Sequence, residues 1–309
     1  MGKSVLVVSF ISSVQNGVGL LAEQMREDED VHFEFFSKSL KSIVGDFFRI
    51  IRKGARCDTI VINYVFLCLL FAPIFRLLGK NVVFVPHEGE PLFPNRLKSE
   101  IHIIRRIIAS KRLTSVCVHL ANKTLCLSKL QAKALGTCDK DIIHFGTRFP
   151  LISSNEDSNL FFFPNRKHEE IKGYGLIKSC HHLMINHDEG ELSYDKMVEF
   201  YTQAKVVLIP SMIETYSYCM AEAMLANCIV IVTKDVGLAY DLEERIGGGE
   251  LESYGIYIVD KPEDVAKLAL KHYELLITRP SRTRELALEH GLDGVSAIKK
   301  LEAFKDDKK

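Results

Sequence analysis

The 309-residue chain lacks net charge: 40 Lys and Arg balance 40 Asp and Glu. Without a basic excess, and with no aromatic residues interleaved among its basic clusters, it does not read as a nucleic-acid binder. It lacks any Cys-x-x-Cys although it holds 8 cysteines, which excludes a zinc ribbon and a thioredoxin-like site. Cys68, Cys117, Cys126, Cys219 and Cys228 stand in apolar surroundings, where a free thiol behaves as a small core residue. It lacks an apolar run of the ~18–20 residues that cross a bilayer. The longest, Val65 to Phe75, is interrupted by Pro73 and reads as a buried helix. Met1 to Phe10 has no cleavage signature and reads as a first strand, not a signal peptide. These absences lead us to expect a chain of the reducing cytoplasm. Repeats, heptads and low-complexity tracts are also missing.

The length suits two domains of about 150 residues. Hydrophobic content of 47% and charged content of 26% are those of a globular protein. Charge is unevenly placed: residues 1–150 carry 21 Lys/Arg against 13 Asp/Glu, and the remainder 19 against 27. A basic front half and an acidic back half suggest domains with different partners.

Short β-rich runs alternate with helical patterns. Strands are expected at 5–10, 32–36, 59–63, 81–86, 123–127 and 142–145, with helices at 20–27, 47–52, 67–78, 97–108 and 129–135. The polar stretch 147–159, with Pro150 and no periodicity, reads as a linker. Beyond it, strands are expected at 160–163, 182–186, 206–209, 229–233 and 256–259, and helices at 195–204, 217–226, 262–275 and 281–290. The alternation predicts two α/β domains with parallel sheets, residues 1–150 and 151–309. Ligands in such sheets bind beyond the carboxyl ends of strands, so the loops after strands are the places to search.

The strongest chemical signal runs from Val206 to Asp235. A strand leads into Pro210-Ser211, then Glu214, and then a helix beginning near Ser217 that carries Glu222 as its only charge. That helix lies between two apolar strands and should be buried on most sides. A buried carboxylate needs a partner, and a sugar diol would serve. The plainer alternative is a solvated Glu at a helix corner, or one paired with Lys. The loop after the strand at 160–163 carries Arg166, Lys167 and Lys172, suited to a diphosphate; the plain reading is a solvated basic loop beside Glu169 and Glu170. His87 follows another strand, and Gly17 and Gly19 form a turn after the first. Cys180, His181, His182 and His187 match no standard metal spacing, and no metal site is expected. The segment from Arg96 to Arg112 is basic and amphipathic, either a surface helix or a docking face for anionic lipid.

The Glu-x7-Glu spacing after strand-Pro-Ser and before Ala223-Met224 resembles the donor signature of family-4 (group 1) retaining glycosyltransferases. The resemblance extends over almost the full chain, through the loop at 160–173, the strand ending at His87 and the Gly17/Gly19 turn. It implies the GT-B fold: two Rossmann-like domains facing a cleft, the second a compact donor domain, with a C-terminal helix packing back on the first. It implies transfer of a sugar from a nucleotide donor to a glycan or lipid-linked acceptor with retention, without metal or other cofactor. Glu222 would hold the ribose, and Glu214 and His87 the sugar. Arg166, Lys167 or Lys172, Tyr216, Ser217, Gly17 and Gly19 would contact the donor. A place in the cytoplasm, peripheral at the inner membrane face, would follow. Three departures stand out: about one βα unit is missing between Lys172 and Tyr201, Thr215-Tyr216-Ser217 replaces the usual Gly-x-Gly turn, and Asn227, which tolerates the αL conformation, replaces the Gly that commonly ends the helix. An idle nucleotide-sugar-binding subunit and a GT-B epimerase remain the alternatives.

Overall fold

The computed structural model describes residues 4–10, 31–37, 42–87, 110–137, 142–144, 146–147, 149–155, 158–186, 190 and 192–293. The chain divides into two compact units, with the boundary between Phe145 and Gly146.

In the first unit, β1 (Val5–Ser9), β2 (Val31–Phe35), β3 (Thr59–Asn63), β4 (Asn81–Val85) and β5 (Lys123–Thr124) form a parallel sheet in the order β2-β1-β3-β4-β5. β3 is buried along its whole length, and β1 and β4 in four of five residues, as expected for strands covered on both faces. The helices α1 (Ile43–Gly54), α2 (Val65–Leu77), α3 (Lys111–Leu120) and α4 (Lys129–Leu135) accompany them. The apolar run behaves as expected: α2 buries Val65, Leu67, Cys68, Phe71, Ala72 and Phe75 in the unit's core. Among the described residues no helix is long and apolar enough to cross a membrane. Because β2 and β3 lie on opposite sides of β1, the strand order reverses between β1 and β3. That is where an open α/β sheet forms its crevice.

The second unit holds β6 (Phe161–Phe162), β7 (Val206–Ile209), β8 (Ile229–Thr233) and β9 (Ile256–Val259), all parallel, in the order β6-β7-β8-β9. Its helices are α5 (Tyr194–Gln203), α6 (Tyr218–Leu225), α7 (Gly237–Ile246), α8 (Gly248–Tyr254), α9 (Pro262–Lys271), α10 (Tyr273–Thr278) and α11 (Thr283–Glu289).

The strand expected at 182–186 is a correction. Tyr174–Leu183 forms a 3₁₀ segment kinked at Ile177, where φ is −106° and ψ 16°, and only Met184 bridges to Phe161. Tyr174, Ile177, Cys180 and Leu183 recur every third residue and all pack into the unit's core, the period of a 3₁₀ helix. This segment and the single bridge lie in the stretch between Lys172 and Tyr201 in which about one βα unit was expected to be missing. The bridge still has a consequence: Met184 lies beside β6 opposite β7, so this sheet too reverses its order, between β6 and β7. Smaller differences are the helices Lys111–Leu120, Gly237–Ile246 and Gly248–Tyr254, which were not expected, the break of 262–275 into α9 and α10 at His272, and the strand expected at 142–145, of which the described residues show only a bridge from Ile142 to Cys126.

The polar stretch after Thr147 is not a free tether. Ser154 N donates to the Ala226 carbonyl, Asn155 N to Thr202, and Arg284 holds the Ile152 carbonyl. Its backbone groups are satisfied by distant partners of the second unit, which local periodicity cannot reveal.

Candidate functional site

The second sheet's reversal puts the loops after β6 and β7 side by side, and backbone contacts lock them together. Met212 N donates to the Ile171 carbonyl at 2.8 Å. Gly173 takes φ +73°, and a Cβ there would stand 2.2 Å from the Pro210 carbonyl oxygen. The next residue back, Lys172, thereby reaches Glu214: Nζ lies 2.8 Å from Oε1, with the side chains 22% and 10% exposed. Ser211 Oγ donates to the same oxygen at 2.5 Å. Behind Ser211, the Thr233 hydroxyl of β8 fixes its carbonyl at 2.5 Å.

Burial alone would push the Glu214 carboxyl up. The Lys172 ammonium, with hydrogen bonds from Lys172, Ser211 and Ser217, outweighs it and holds Glu214 below the ordinary carboxylate value. Lys172 shows the reciprocal balance, lowered by burial but raised on net by Glu214. The pair is therefore an ammonium and a carboxylate at neutral pH.

α6 begins beyond this pair. Its cap, Ser217, has φ 123° and ψ 95°, a conformation natural to glycine and strained for serine. Its Oγ accepts from Met220 N at 3.3 Å. The first-turn amides have no acceptor within the helix, and the helix dipole favours an anion there. At the other end Asn227 sits at φ 61°, as expected of an αL-tolerant residue replacing glycine. Asn227 N bonds Met224 O and Cys228 N bonds Ala223 O, the paired bonds of a Schellman turn. The Asn227 amide also donates to Ser281 O and accepts from Arg284 N, tying α6 to the start of α11.

Glu222 lies inside α6, only 4% exposed, so a solvated Glu at a helix corner is excluded. Its partner is not Lys but Tyr201 of α5, whose Oη lies 3.1 Å from Glu222 Oε2 and 3.1 Å from the Cys219 carbonyl. Burial raises the Glu222 carboxyl to about 7, the Tyr201 hydrogen bond offsetting part of the rise. Cys219 is placed between the two carboxylates: burial, Glu222 and Glu214 all raise its thiol. Its Sγ also approaches Asn165 Oδ1 at 3.5 Å, and the Asn165 amide points to Ser211 Oγ at 3.5 Å. Tyr218 stands beside Glu222 with a buried hydroxyl, and its ring meets Tyr216 edge to face at 5.3 Å.

The structure sorts the three basic candidates of this loop. Lys172 joins Glu214. Arg166, 47% exposed, pairs with Glu169 at 2.8 Å, the plain reading of a solvated basic loop. Lys167 donates to the Asn186 carbonyl and lies over the Tyr174 ring at 5.1 Å. Of the histidine cluster, Cys180 is buried in the core and His181 stacks on Tyr174 at 4.9 Å. Among the described residues no three His, Cys, Asp or Glu are grouped to hold a metal. His187, Gly17, Gly19 and the segment from Arg96 to residue 109 lie outside the described residues.

In the first unit, His87 follows β4. Its Nε2 lies 3.2 Å from Asn63 Oδ1, and its ring packs 5.6 Å from Tyr64. Burial lowers its pKa to about 4, so it is neutral imidazole at pH 7. Tyr64, at the end of β3, takes φ 71°, an outlier for an aromatic residue beside the crevice between β1 and β3. Ser9, at the end of β1, is fully buried with no partner for its hydroxyl among the described residues.

Tyr201, Asn165 and Tyr64 were missed by sequence reasoning. Tyr201 reads as one more aromatic on an amphipathic helix; the only available clue was that buried Glu222 must have a donor.

No protein-family model and no curated protein matches the chain. Solved structures do, at 12% identity. One is the Anabaena HepE protein in complex with UDP and glucose, with a TM-score of 0.71 over 98% of this chain and 99% of that one. Another is sucrose-phosphate synthase from Thermosynechococcus elongatus, with a TM-score of 0.72 and 98% of both chains covered. A third is the lipopolysaccharide outer core galactosyltransferase WaaB, with a TM-score of 0.64 over 97% of this chain and 98% of that one. Two parallel α/β units in one chain, each with a strand-order reversal, thus make up the GT-B fold.

Proposed function

We propose that the chain is a retaining glycosyltransferase that takes its sugar from a nucleoside diphosphate donor and delivers it to a glycan or lipid-linked acceptor. The observation that carries this reading is the Lys172–Glu214–Ser211 cluster at the β6/β7 reversal, with the α6 N-terminus and Glu222 on the next element. It supplies a cation and amides for a leaving diphosphate and a buried carboxylate for a ribose diol. The structural likeness to HepE, seen with UDP and glucose, supports a nucleotide-sugar donor.

In this reading Lys172 and the α6 amides stabilise the charge that grows on the departing phosphate. Glu214, kept ionised by Lys172, orients the sugar hydroxyls and favours positive character at the anomeric carbon. Neutral His87 contributes a hydrogen bond, not a charge. Of the other basic candidates, Arg166 is exposed enough to swing to a phosphate, whereas Lys167 supports the loop through Asn186. Because Lys172 takes the part a divalent cation plays elsewhere, the reaction is proposed to run without metal.

The test is a thermal-shift and calorimetric screen against UDP, GDP, ADP and TDP and their sugars, with and without EDTA. It is followed by acceptor assays with NMR assignment of the anomer. Affinity for none of these ligands would overturn the reading, as would affinity that vanishes in EDTA. Binding without transfer to any acceptor would favour an idle binding subunit. Conversion of the donor sugar without an acceptor would favour an epimerase.

A further inference from the structure

Tyr201 is the buried group that the proposed chemistry leaves unused, and its surroundings give it a task. Its ring is fully buried, held edge to face between Phe162 of β6 at 4.9 Å and Phe149 at 5.0 Å. Phe149 belongs to the stretch by which the chain enters the second unit, and it is itself buried. Two aromatic neighbours therefore fix the ring, and the ring aims its hydroxyl at Glu222 Oε2 and at the Cys219 carbonyl.

A phenol has one proton for these two acceptors. When Glu222 is ionised, the proton serves the carboxylate. When Glu222 is protonated, the carboxyl can donate to Tyr201 Oη while the phenol proton turns to the Cys219 carbonyl. Both states are thus hydrogen-bonded, which lets a buried carboxyl change protonation without an orphaned polar atom. A ribose diol, however, brings two O–H donors and needs the ionised form as acceptor.

We propose that Tyr201 is a positioning residue for Glu222: its hydroxyl holds the carboxylate ionised and oriented to accept a ribose diol, and Phe149 braces its ring. The proposal rests on the reading of Glu222 as the ribose acceptor. The titratable groups facing Glu222 are Tyr201 from α5 and Tyr218 and Cys219 from its own helix. From α11, packed against α6, Arg284 spends its guanidinium on the carbonyls of Leu225 and Ile152 and on Ser153. Among the described residues no cation pairs with Glu222, so the Tyr201 hydroxyl is the principal group favouring its ionised form.

The experiment uses the full chain and its Tyr201→Phe variant, which keeps the ring and removes the hydroxyl. The Glu222 carboxyl carbon is titrated by NMR without nucleotide, and UDP affinity is measured from pH 5.5 to 9. In wild type, affinity should rise with pH and level off as Glu222 ionises. In Tyr201→Phe both midpoints should move up by about one pH unit, with affinity recovering towards wild type at high pH. Phe149→Leu, which loosens the brace and keeps the hydroxyl, should move them the same way by less. Affinity lost equally at every pH, with an unchanged carboxyl midpoint, would reduce Tyr201 to a packing residue and overturn the proposal. A pH-dependent wild type whose midpoints neither variant moves would overturn it too. A flat wild-type affinity profile, despite a titrating Glu222, would instead overturn the ribose reading on which it rests.

Discussion

Gly173 and the Pro210 carbonyl oxygen are in such close apposition that a Cβ would stand 2.2 Å from that oxygen. This contact presses the loop after β6 against the loop after β7 and brings Lys172, from 42 residues earlier in the chain, to Glu214. Gly173→Ala must push backbone apart and also adopt φ +73°. It should cost about 2 kcal/mol or more in denaturant unfolding and weaken nucleoside diphosphate binding, because Lys172 is displaced. Unchanged stability would mean that the two loops are not locked.

Ser217 separates strain from capping. Ser217→Gly relieves a φ of 123° and gives up the cap bond, which glycine replaces at a cost of a few tenths of a kcal/mol, together with the hydrogen bond to Glu214. Relief of about 1 kcal/mol or more should win, so this variant should be more stable than wild type. Ser217→Ala keeps the strain and loses both bonds, and should be less stable than wild type by about 1 kcal/mol or more. Urea titrations of both variants decide it; the reverse order would show that the serine conformation is unstrained.

Lys172 and Glu214 should behave as a unit. Lys172→Met leaves the carboxylate buried without its cation, a loss of about 3 kcal/mol or more. The double variant Lys172→Met/Glu214→Gln should be more stable than Lys172→Met alone. Both should bind nucleoside diphosphate about 10- to 150-fold more weakly, the range of one charged hydrogen bond. Glu214→Gln alone should keep that affinity and lower kcat. Equal affinity losses in Glu214→Gln and Lys172→Met would overturn the division of roles.

Glu222 trades stability for binding. Its folded pKa, about 7, lies above the unfolded value, so the native chain holds a proton that the unfolded chain has released. The stability this contributes is complete below the unfolded value of about 4.3 and is lost as pH rises through 7. Glu222→Gln should therefore match wild type near pH 4.5 and exceed it by up to about 3 kcal/mol at pH 8, while binding nucleotide more weakly. A variant less stable than wild type at pH 8 would contradict the burial argument.

His87 gives the opposite slope. Its pKa is depressed to about 4 by burial, so acid favours the unfolded chain, where the imidazole protonates near 6.5. Stability should fall as pH drops from 6.5 to 4 and level off below, by up to about 3 kcal/mol. His87→Gln, which keeps a donor for Asn63, should flatten that part of the profile relative to wild type in thermal melts from pH 7 to 4. A slope unchanged in the variant would assign the acid sensitivity elsewhere.

Much of this was legible in the residues. Strands β3, β7, β8 and β9 fall where alternation and apolar runs placed them, because parallel strands buried on both faces are written as continuous apolar segments. Asn227 as a helix-ending αL residue and Val65–Leu77 as a buried helix follow from equally local rules. The 3₁₀ segment at Tyr174–Leu183 did not, because an apolar residue at every third position matches neither the helical nor the strand period.

By itself the sequence determined the two α/β units and the place of Glu214 and Glu222 after β7. Strand, turn and helix are specified by residues within a few positions of one another. It could not choose among Arg166, Lys167 and Lys172, nor name the partner of Glu222. Those choices depend on which loops meet where the sheet reverses. Only the tertiary structure brings Lys172 to Glu214 and Tyr201 to Glu222, in surroundings dry enough for one ammonium to keep a carboxylate ionised and for burial to lift the other to about 7.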